Sequence, residues 1–562
     1  MERSGQSRGL FALYGAVFLA AWAFLFWKCR FGFGNIDESF YLTVPYRLCR
    51  GDTLLLHEWH LSQTSGFLLV PAMRLFLLTH GSTAGILLWF RRLYTAVWGL
   101  AALFFCFRLR RFSLPGAMLA SLVFLLYAPF GIMALSYNSM GILLLLNAGI
   151  LGATARRYRA LQLTLAGLFL AGAVLCCPYL LLLYLLFTLP ALAAALRKRA
   201  DAVRCWLFVS LGALLLFLLF CACILPGGGL AMLPKVLPLI LNDPEHPPLS
   251  LWYKARRYLL SILGCSPFFP PALLITLALT LICRRRGGRV WGFAAVCLCA
   301  AGLELWFFLR DAYLNYFLFP LCLPGFYCAL CGDDPEALRL FRWVWLPGLV
   351  YSFCIHLSSN QEFYAISSAA TVMSISGVVL SARFLALQGL DALPGRTKRA
   401  AALLSFALLM ALQLGTESVL RYRAVFWESA GMDAQTAIAE AGPERGLRMT
   451  PARLRDYEAR LADAAVLRED AQIGRVLFLS ENTWLYLCAE KDFATYSAWL
   501  SGVNENSLAR LEAYFTLFPE RTPDAVCLDV GDEALAAPFE AQGYEADPLP
   551  SGALLLRRDA AS

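Results

Sequence analysis

"FGFGNIDESFYLTVPYRLCRGD", residues 31–52, follows the first apolar segment of a very apolar chain. Two adjacent acids, Asp37 and Glu38, stand just past the end of that segment, and an amphipathic run follows at once. With Asn35 as N-cap, both acids fall in the first helical turn, where the helix dipole favours negative charge. Glu38 is then placed to complete a capping-box-like pair with Asn35. Phe40, Tyr41, Val44 and Leu48 recur at helical spacing and make one apolar face. Residues 36–49 therefore read as a short helix lying in a membrane interface. Taken alone, acids at such an N-terminus need no catalytic role.

The rest of the chain explains why an interface is at hand. Of its 562 residues, 59% are hydrophobic and 15% charged, whereas a soluble chain carries about 25% charge. Apolar windows long enough to cross a hydrocarbon core of about 30 Å recur from residue 10 to residue 419. In lipid these must be helices, because each backbone donor and acceptor has to be satisfied within its own segment. The expected fold is an all-α polytopic membrane protein. Candidate spans are 10–29, 86–107, 116–133, 138–155, 160–175, 178–196, 204–225, 258–283, 290–309, 312–330, 343–357, 364–386 and 400–419, about thirteen in all. The first lacks a small-residue cleavage site and reads as a retained helix.

Charge divides the chain. Before residue 420 there are 34 Lys and Arg against 16 Asp and Glu; from residue 420 onward there are 14 against 23. A basic body, residues 1–419, suits anionic lipid headgroups. An acidic tail, residues 420–562, suits water. Nucleic acid is excluded as a partner, because the basic residues sit between spans. Clusters such as Arg108/Arg110/Arg111, Arg197/Lys198/Arg199 and Arg284/Arg285/Arg286 share one side if the N-terminus is cytoplasmic. Thirteen crossings then make the tail extracytoplasmic. The tail reads as a small α/β domain: "RVLFLS" (475–480), "AVCLDV" (525–530) and "GALLLRR" near the end are strand-like, and Thr450-Pro451 starts a helix. It holds no nucleophile elbow, phosphate loop or metal spacing. Cys488 and Cys527 share this domain as a pair or as two free thiols.

The loop after the first span is the richest. Past Gly51-Asp52, "HEWHLSQTSGFLLVPAMRLFLL" carries His57, Glu58 and His60 into an apolar stretch too short for a confident span. Residues 64–80 read as a second interfacial or re-entrant helix. This layout resembles the glycosyltransferase-C superfamily, in particular bacterial relatives of protein mannosyltransferases and aminoarabinose transferases. The matching elements are "IDESFYLTVPYRLCRGD" and "HEWHLSQTSGFLLVPA". Two family features differ: His60-Leu61 stands where a Pro-Pro pair is common, and Asn315-Tyr316 where Arg-Tyr is common.

The resemblance implies a membrane enzyme of hexosyltransferase type at the cell membrane. It would move a sugar from a polyprenyl-phosphate carrier to a glycan, lipid or protein acceptor outside, with inversion. Asp37 would be its catalytic carboxylate, with Glu38 sharing that role or capping the helix. An acceptor hydroxyl needs a base within hydrogen-bond reach. A free Asp, with a pKa of about 3.9, is a weak one until burial raises it. The departing phosphate needs cations, and arginine's fork suits it best. Arg256, Arg257 and Arg310 are candidates at span ends, beside Arg91 and Arg92 within "LLWFRRLYTAVWG". Glu58, His60, Tyr313 and Tyr316 complete the substrate-binding set, and Tyr137 is a further lining candidate. Glu304 reads as a partner for Arg310. A divalent cation on Glu58 with His57 or His60, joined by Asp243 or His246, is open but not favoured, because the spacing matches no ligand motif. The reading from another class is a lipid or glycan transporter, which would place its charges near the midplane and show internal repeats.

Overall fold

The structure, a computed structural model, describes residues 2–33, 35–60, 62–225, 229–242, 249–310, 314–359, 361–387, 396–425, 428, 430–500 and 503–558. Its membrane body runs α1 (Glu2–Lys28), α2 (Asn35–Cys49), α3 (Val70–His80), α4 (Ile86–Leu109), α5 (Leu114–Leu126), α6 (Tyr137–Thr154), α7 (Arg159–Cys176), α8 (Leu181–Leu196), α9 (Ala200–Ile224), α10 (Gly229–Leu241), α11 (Leu251–Leu263), α12 (Phe269–Arg286) and α13 (Arg289–Leu309). It continues through α14 (Leu314–Leu318), α15 (Cys322–Cys331), α16 (Pro335–Leu340), α17 (Leu346–Ser358), α18 (Glu362–Ala369), α19 (Thr371–Leu387) and α20 (Arg396–Arg423).

Among the described residues, ten helices are long and apolar enough to cross a membrane. The pair α18 and α19, bent by 45°, makes an eleventh if the two cross as one broken span. Besides that bent pair, which covers the expected span 364–386, two of the thirteen expected spans are not single helices. Residues 258–283 are divided by a break after α11, and α12 ends on Arg284, Arg285 and Arg286. Residues 312–330 are divided by a tight turn at Phe319–Leu321 that contains Pro320. The short expectation at 343–357 is instead part of a 24-residue span, Pro335–Ser358. Asp334 explains the early start of that span. Its carboxylate caps the helix through the amides of Glu336 and Ala337, and Pro335 takes the first position.

The C-terminal domain holds β1 (Ala437–Ile438), β2 (Arg448–Met449), α21 (Pro451–Glu469), β3 (Arg475–Leu479), α22 (Leu485–Ala489), β4 (Asp492–Phe493), α23 (Glu505–Leu517), β5 (Ala525–Leu528), α24 (Ala537–Glu540), β6 (Tyr544–Pro548) and β7 (Leu554–Arg558). Its main sheet has the order β4-β3-β5-β7-β6. β3 runs parallel to both β4 and β5, and β7 runs antiparallel to β5 and β6. All three expected strands are present, and Thr450 caps α21 as expected. Cys488 and Cys527 are both buried free thiols.

The membrane body and this domain meet around the first loop. Lys28 Nζ donates to the Ala424 carbonyl at 2.6 Å, so the ends of α1 and α20 touch. Arg448 N donates to Arg30 O, and Gly32 N to Arg448 O. The first loop and the sheet domain therefore lie on one side of the membrane body. Leu56 and Trp59 of that loop are buried in the domain's own core, beside Val236 and Ile240 of α10. Consequently α2 is not a helix with one face in lipid and one in water. Its residues from Glu38 to Arg47 are buried almost without interruption.

Gly51 ends α2 at φ +101°, and Asp52 N then bonds back to Arg47 O at 3.1 Å. A Cβ at Gly51 would meet nothing within 4 Å, so the cost of a side chain there is purely conformational. Gly51→Ala should lower the melting temperature by an amount equivalent to about 1–2 kcal/mol, without changing the fold. An unchanged melting temperature would contradict this reading of the turn.

Candidate active site

The two acids at the start of α2 have different surroundings. Glu38 is buried and committed through both oxygens to Arg91 of α4. Arg91 Nε reaches Oε1 and Nη2 reaches Oε2, each at 2.6 Å. Arg91 Nη1 also donates to the carbonyls of Cys29 and Phe31. The pair thus fixes the start of α2 against the end of α1 and against α4. Both Glu38 oxygens are engaged by a fixed cation. Arg91, a candidate for donor phosphate, is spent in the same way.

Asp37 is different. No ion pair or hydrogen bond to its carboxylate is found among the described residues, and burial pushes its carboxyl up to about 6. Burial disfavours the charged form, and no cation among the described residues offsets it. Tyr41, one turn along α2, packs edge-to-face on Tyr137 at the start of α6, with ring centroids 5.6 Å apart. Both phenols lie within electrostatic reach of Asp37. Burial first, then Asp37, pushes the Tyr41 phenol well above its ordinary range. Both tyrosines therefore stay protonated and can donate towards the acid or a bound sugar.

The same aromatic group leads outward. Tyr364 also acts on Tyr41 electrostatically, and its ring lies 6.4 Å from that of Tyr316. Asn315, fully buried, sets this arrangement: Oδ1 accepts from Phe130 N at 2.9 Å, and Nδ2 donates to Tyr364 O. Tyr316 lines a cleft of about 380 Å³ with Arg257, Leu260, Ser261, Glu362 and Phe363. In that cleft Arg257 is ion-paired with Glu362, and both side chains are nearly half exposed.

The remaining expected residues are scattered. Arg256 is exposed on α11. Arg310 is exposed at the end of α13, with its guanidinium 4.6 Å over the Trp306 ring. Glu304 does not pair with it and accepts from Thr416 instead. Tyr313, Asp243 and His246 lie outside the described residues. His60 packs against Phe40 and Trp499, and its Nδ1 is 2.8 Å from Ser62 Oγ.

Glu58 belongs to a different structure, built on Arg47. This arginine is fully buried. It donates from Nε to Asp52 at 2.7 Å, from Nη1 to Glu58 at 2.7 Å, and from Nη2 to the carbonyls of His57 and Thr495 at 2.9 Å. Arg521 completes the group by donating to Asp52 at 2.6 Å. Burial works against the charge on Asp52, yet Arg47 and Arg521 hold its carboxyl below the usual range. Burial also drives His57 down to about 4, so its neutral Nδ1 accepts from Thr53 N. Glu58 and His57 thus serve a clasp between the first loop and the C-terminal domain. Among the described residues, no three His, Cys, Asp or Glu side chains converge as metal ligands.

No protein-family model matches this chain, and no curated protein matches it. Two solved structures of ArnT from Cupriavidus metallidurans are similar to it. The one bound to undecaprenyl phosphate aligns with a TM-score of 0.49 and 14% identity, over 98% of both chains. The apo structure aligns with a TM-score of 0.49 and 13% identity, over 99% of both chains.

Proposed function

We propose that this chain is a membrane-embedded glycosyltransferase. It moves a sugar from a polyprenyl-phosphate carrier to an acceptor hydroxyl on the side that holds the first loop and the C-terminal domain, with inversion. That side is extracytoplasmic, because the basic clusters favour a cytoplasmic N-terminus. The observation that carries the reading is Asp37: an acid without an ion-pair partner among the described residues, raised by burial, at the end of the first span.

The chemistry follows from the groups in place. Asp37, ionised at neutral pH, accepts the proton of the acceptor hydroxyl as that oxygen bonds to the anomeric carbon. The bond from that carbon to the carrier phosphate breaks, and the phosphate leaves with the electron pair. The carboxylate also steadies positive charge developing on the sugar. Tyr41 and Tyr137 hold hydroxyl donors beside the reacting acid. The phosphate settles against Arg257, displacing Glu362, at a cleft whose half-open edge admits a lipid headgroup.

Arg257→Ala should raise the KM for the lipid-linked donor about tenfold with kcat little changed, since a hydrogen bond to a charged group is worth about 1.5–3 kcal/mol. A loss confined to kcat would remove Arg257 from the donor site. The reading as a whole is tested on membranes containing the protein, assayed with a panel of radiolabelled polyprenyl-phosphate sugars. Label should pass from one carrier to a membrane acceptor. Movement of the lipid across the membrane without sugar transfer, or turnover of none of the panel, would contradict it.

A further inference from the structure

The end of the membrane body away from the first loop carries a basic cleft of about 490 Å³, whose lining includes Phe11, Phe107, Arg108, Arg110, Arg111 and Thr154. Thr154 closes α6, whose first residue, Tyr137, packs on Tyr41. That helix has 18 residues, so at 1.5 Å per residue the cleft lies about 25 Å from the group around Asp37. Thr154 also builds the cleft. Its hydroxyl donates to Ile150 O at 2.6 Å, and accepts from Arg108 Nε at 2.9 Å and from Arg108 Nη2. Its carbonyl accepts from Arg111 Nη1. Two guanidiniums that could otherwise snorkel freely are thereby held side by side. Arg110 is exposed, with its guanidinium 4.2 Å over the Phe107 ring.

Positive charge is in excess here. Arg111 lies within electrostatic reach of Arg108, Arg156 and Arg339, and the acid that opposes them is Glu336. Glu336 accepts from Arg156 at 2.8 Å and stands 3.6 Å from Arg111 Nη2. That nitrogen is buried without a hydrogen-bond partner, an uncommon state for a buried donor. Among the described residues, neither Arg110 nor Arg108 Nη1 donates a hydrogen bond.

The structure assigns this cleft as the headgroup site of one anionic phospholipid in the leaflet opposite the first loop, its phosphate held by Arg108, Arg110 and Arg111. A phosphate supplies the missing acceptors, and the arginine fork matches its oxygens. Basic pockets between spans hold acidic headgroups in this way. The apolar surroundings decide for a lipid over a free anion. Leu10, Leu13 and Val17 on α1, and Leu100, Leu103 and Phe107 on α4, are exposed apolar residues at spacings of three and four. Acyl chains lie along these two stripes while the phosphate sits in the cleft. A zwitterionic headgroup would bring its own ammonium into a site already rich in cations. The site is separate from the reading of Asp37, and either can fail without the other.

The test uses the purified full-length protein in a neutral detergent. It is titrated with phosphatidylglycerol, with phosphatidylcholine of the same chains, or with inorganic phosphate. Bound lipid is counted by native mass spectrometry, and the melting temperature is followed. One phosphatidylglycerol should bind, at least about tenfold tighter than phosphatidylcholine, and raise the melting temperature saturably. Arg110→Gln and Arg111→Gln should each weaken that binding about tenfold, the worth of a hydrogen bond to a charged group. Without lipid, Arg110→Gln should melt like the wild type. Arg285→Gln, at the exposed basic end of α12, is the control and should leave binding unchanged. Four outcomes would overturn the proposal. Equal retention of the two lipids is one, and undiminished binding in both variants is another. A loss in Arg285→Gln as large as in Arg110→Gln would reduce the cleft to the general attraction of basic helix ends for acidic lipid. Stabilisation by inorganic phosphate equal to that by phosphatidylglycerol would make it a site for a free anion.

Discussion

Asp37→Asn lowers sugar transfer by about 10²- to 10⁴-fold, the usual contribution of a positioned general base. The loss falls on kcat, because Asn keeps the shape of Asp and disturbs no ion pair among the described residues. The melting temperature is not lowered. Burial disfavours the ionised form of Asp37 and raises its carboxyl to about 6, so the charged acid burdens the folded state above that pH. The neutral amide removes the burden. Loss of activity with unchanged or higher stability separates a catalytic acid from a structural one. A variant that keeps wild-type turnover would return Asp37 to a helix-end role alone.

Arg47→Ala has the largest expected effect on stability. Arg47 has no exposed side-chain surface and holds Asp52 and Glu58, themselves 4% and 0% exposed. Removing it strands the buried carboxylate of Glu58 and leaves Asp52 to Arg521 alone, and breaking a buried pair in this way costs about 3–5 kcal/mol. The protein should express poorly, and its C-terminal domain should become sensitive to protease in membranes. Arg47→Lys should not rescue it, because an ammonium cannot fork to two carboxylates and two carbonyls at once. Arg50→Ala is the control. Its bond to Asp492 is about 40% exposed on both sides, and such pairs are worth about 1 kcal/mol or less. Equal losses for the two variants would refute the clasp.

Local features were readable in the sequence. Gly51 marks the end of α2, and hydropathy finds most spans, because both signals act over a few residues. The missed boundaries, near Gly264, Pro320 and Ala370, are breaks inside apolar runs, where hydropathy does not change. The clasp was not readable. Arg47 looks like an ordinary cation at a helix C-terminus until Thr495, 448 residues away, folds onto it. The different fates of Asp37 and Glu38 depend on Arg91, which reads equally well as a phosphate ligand. Tyr41 was read as part of an apolar face, and only the approach of Tyr137 shows its hydroxyl to be near an acid.

The most direct measurement is the pH dependence of kcat/KM in native membranes, from about pH 5 to about pH 8. A base raised to about 6 is protonated below that value and free above it. The rate should climb about tenfold per pH unit on the acid side and level off above about pH 6, while the residual rate of Asp37→Asn should show no such inflection. A profile flat across this range, or the same inflection in the variant, would contradict the assignment of Asp37 as the base.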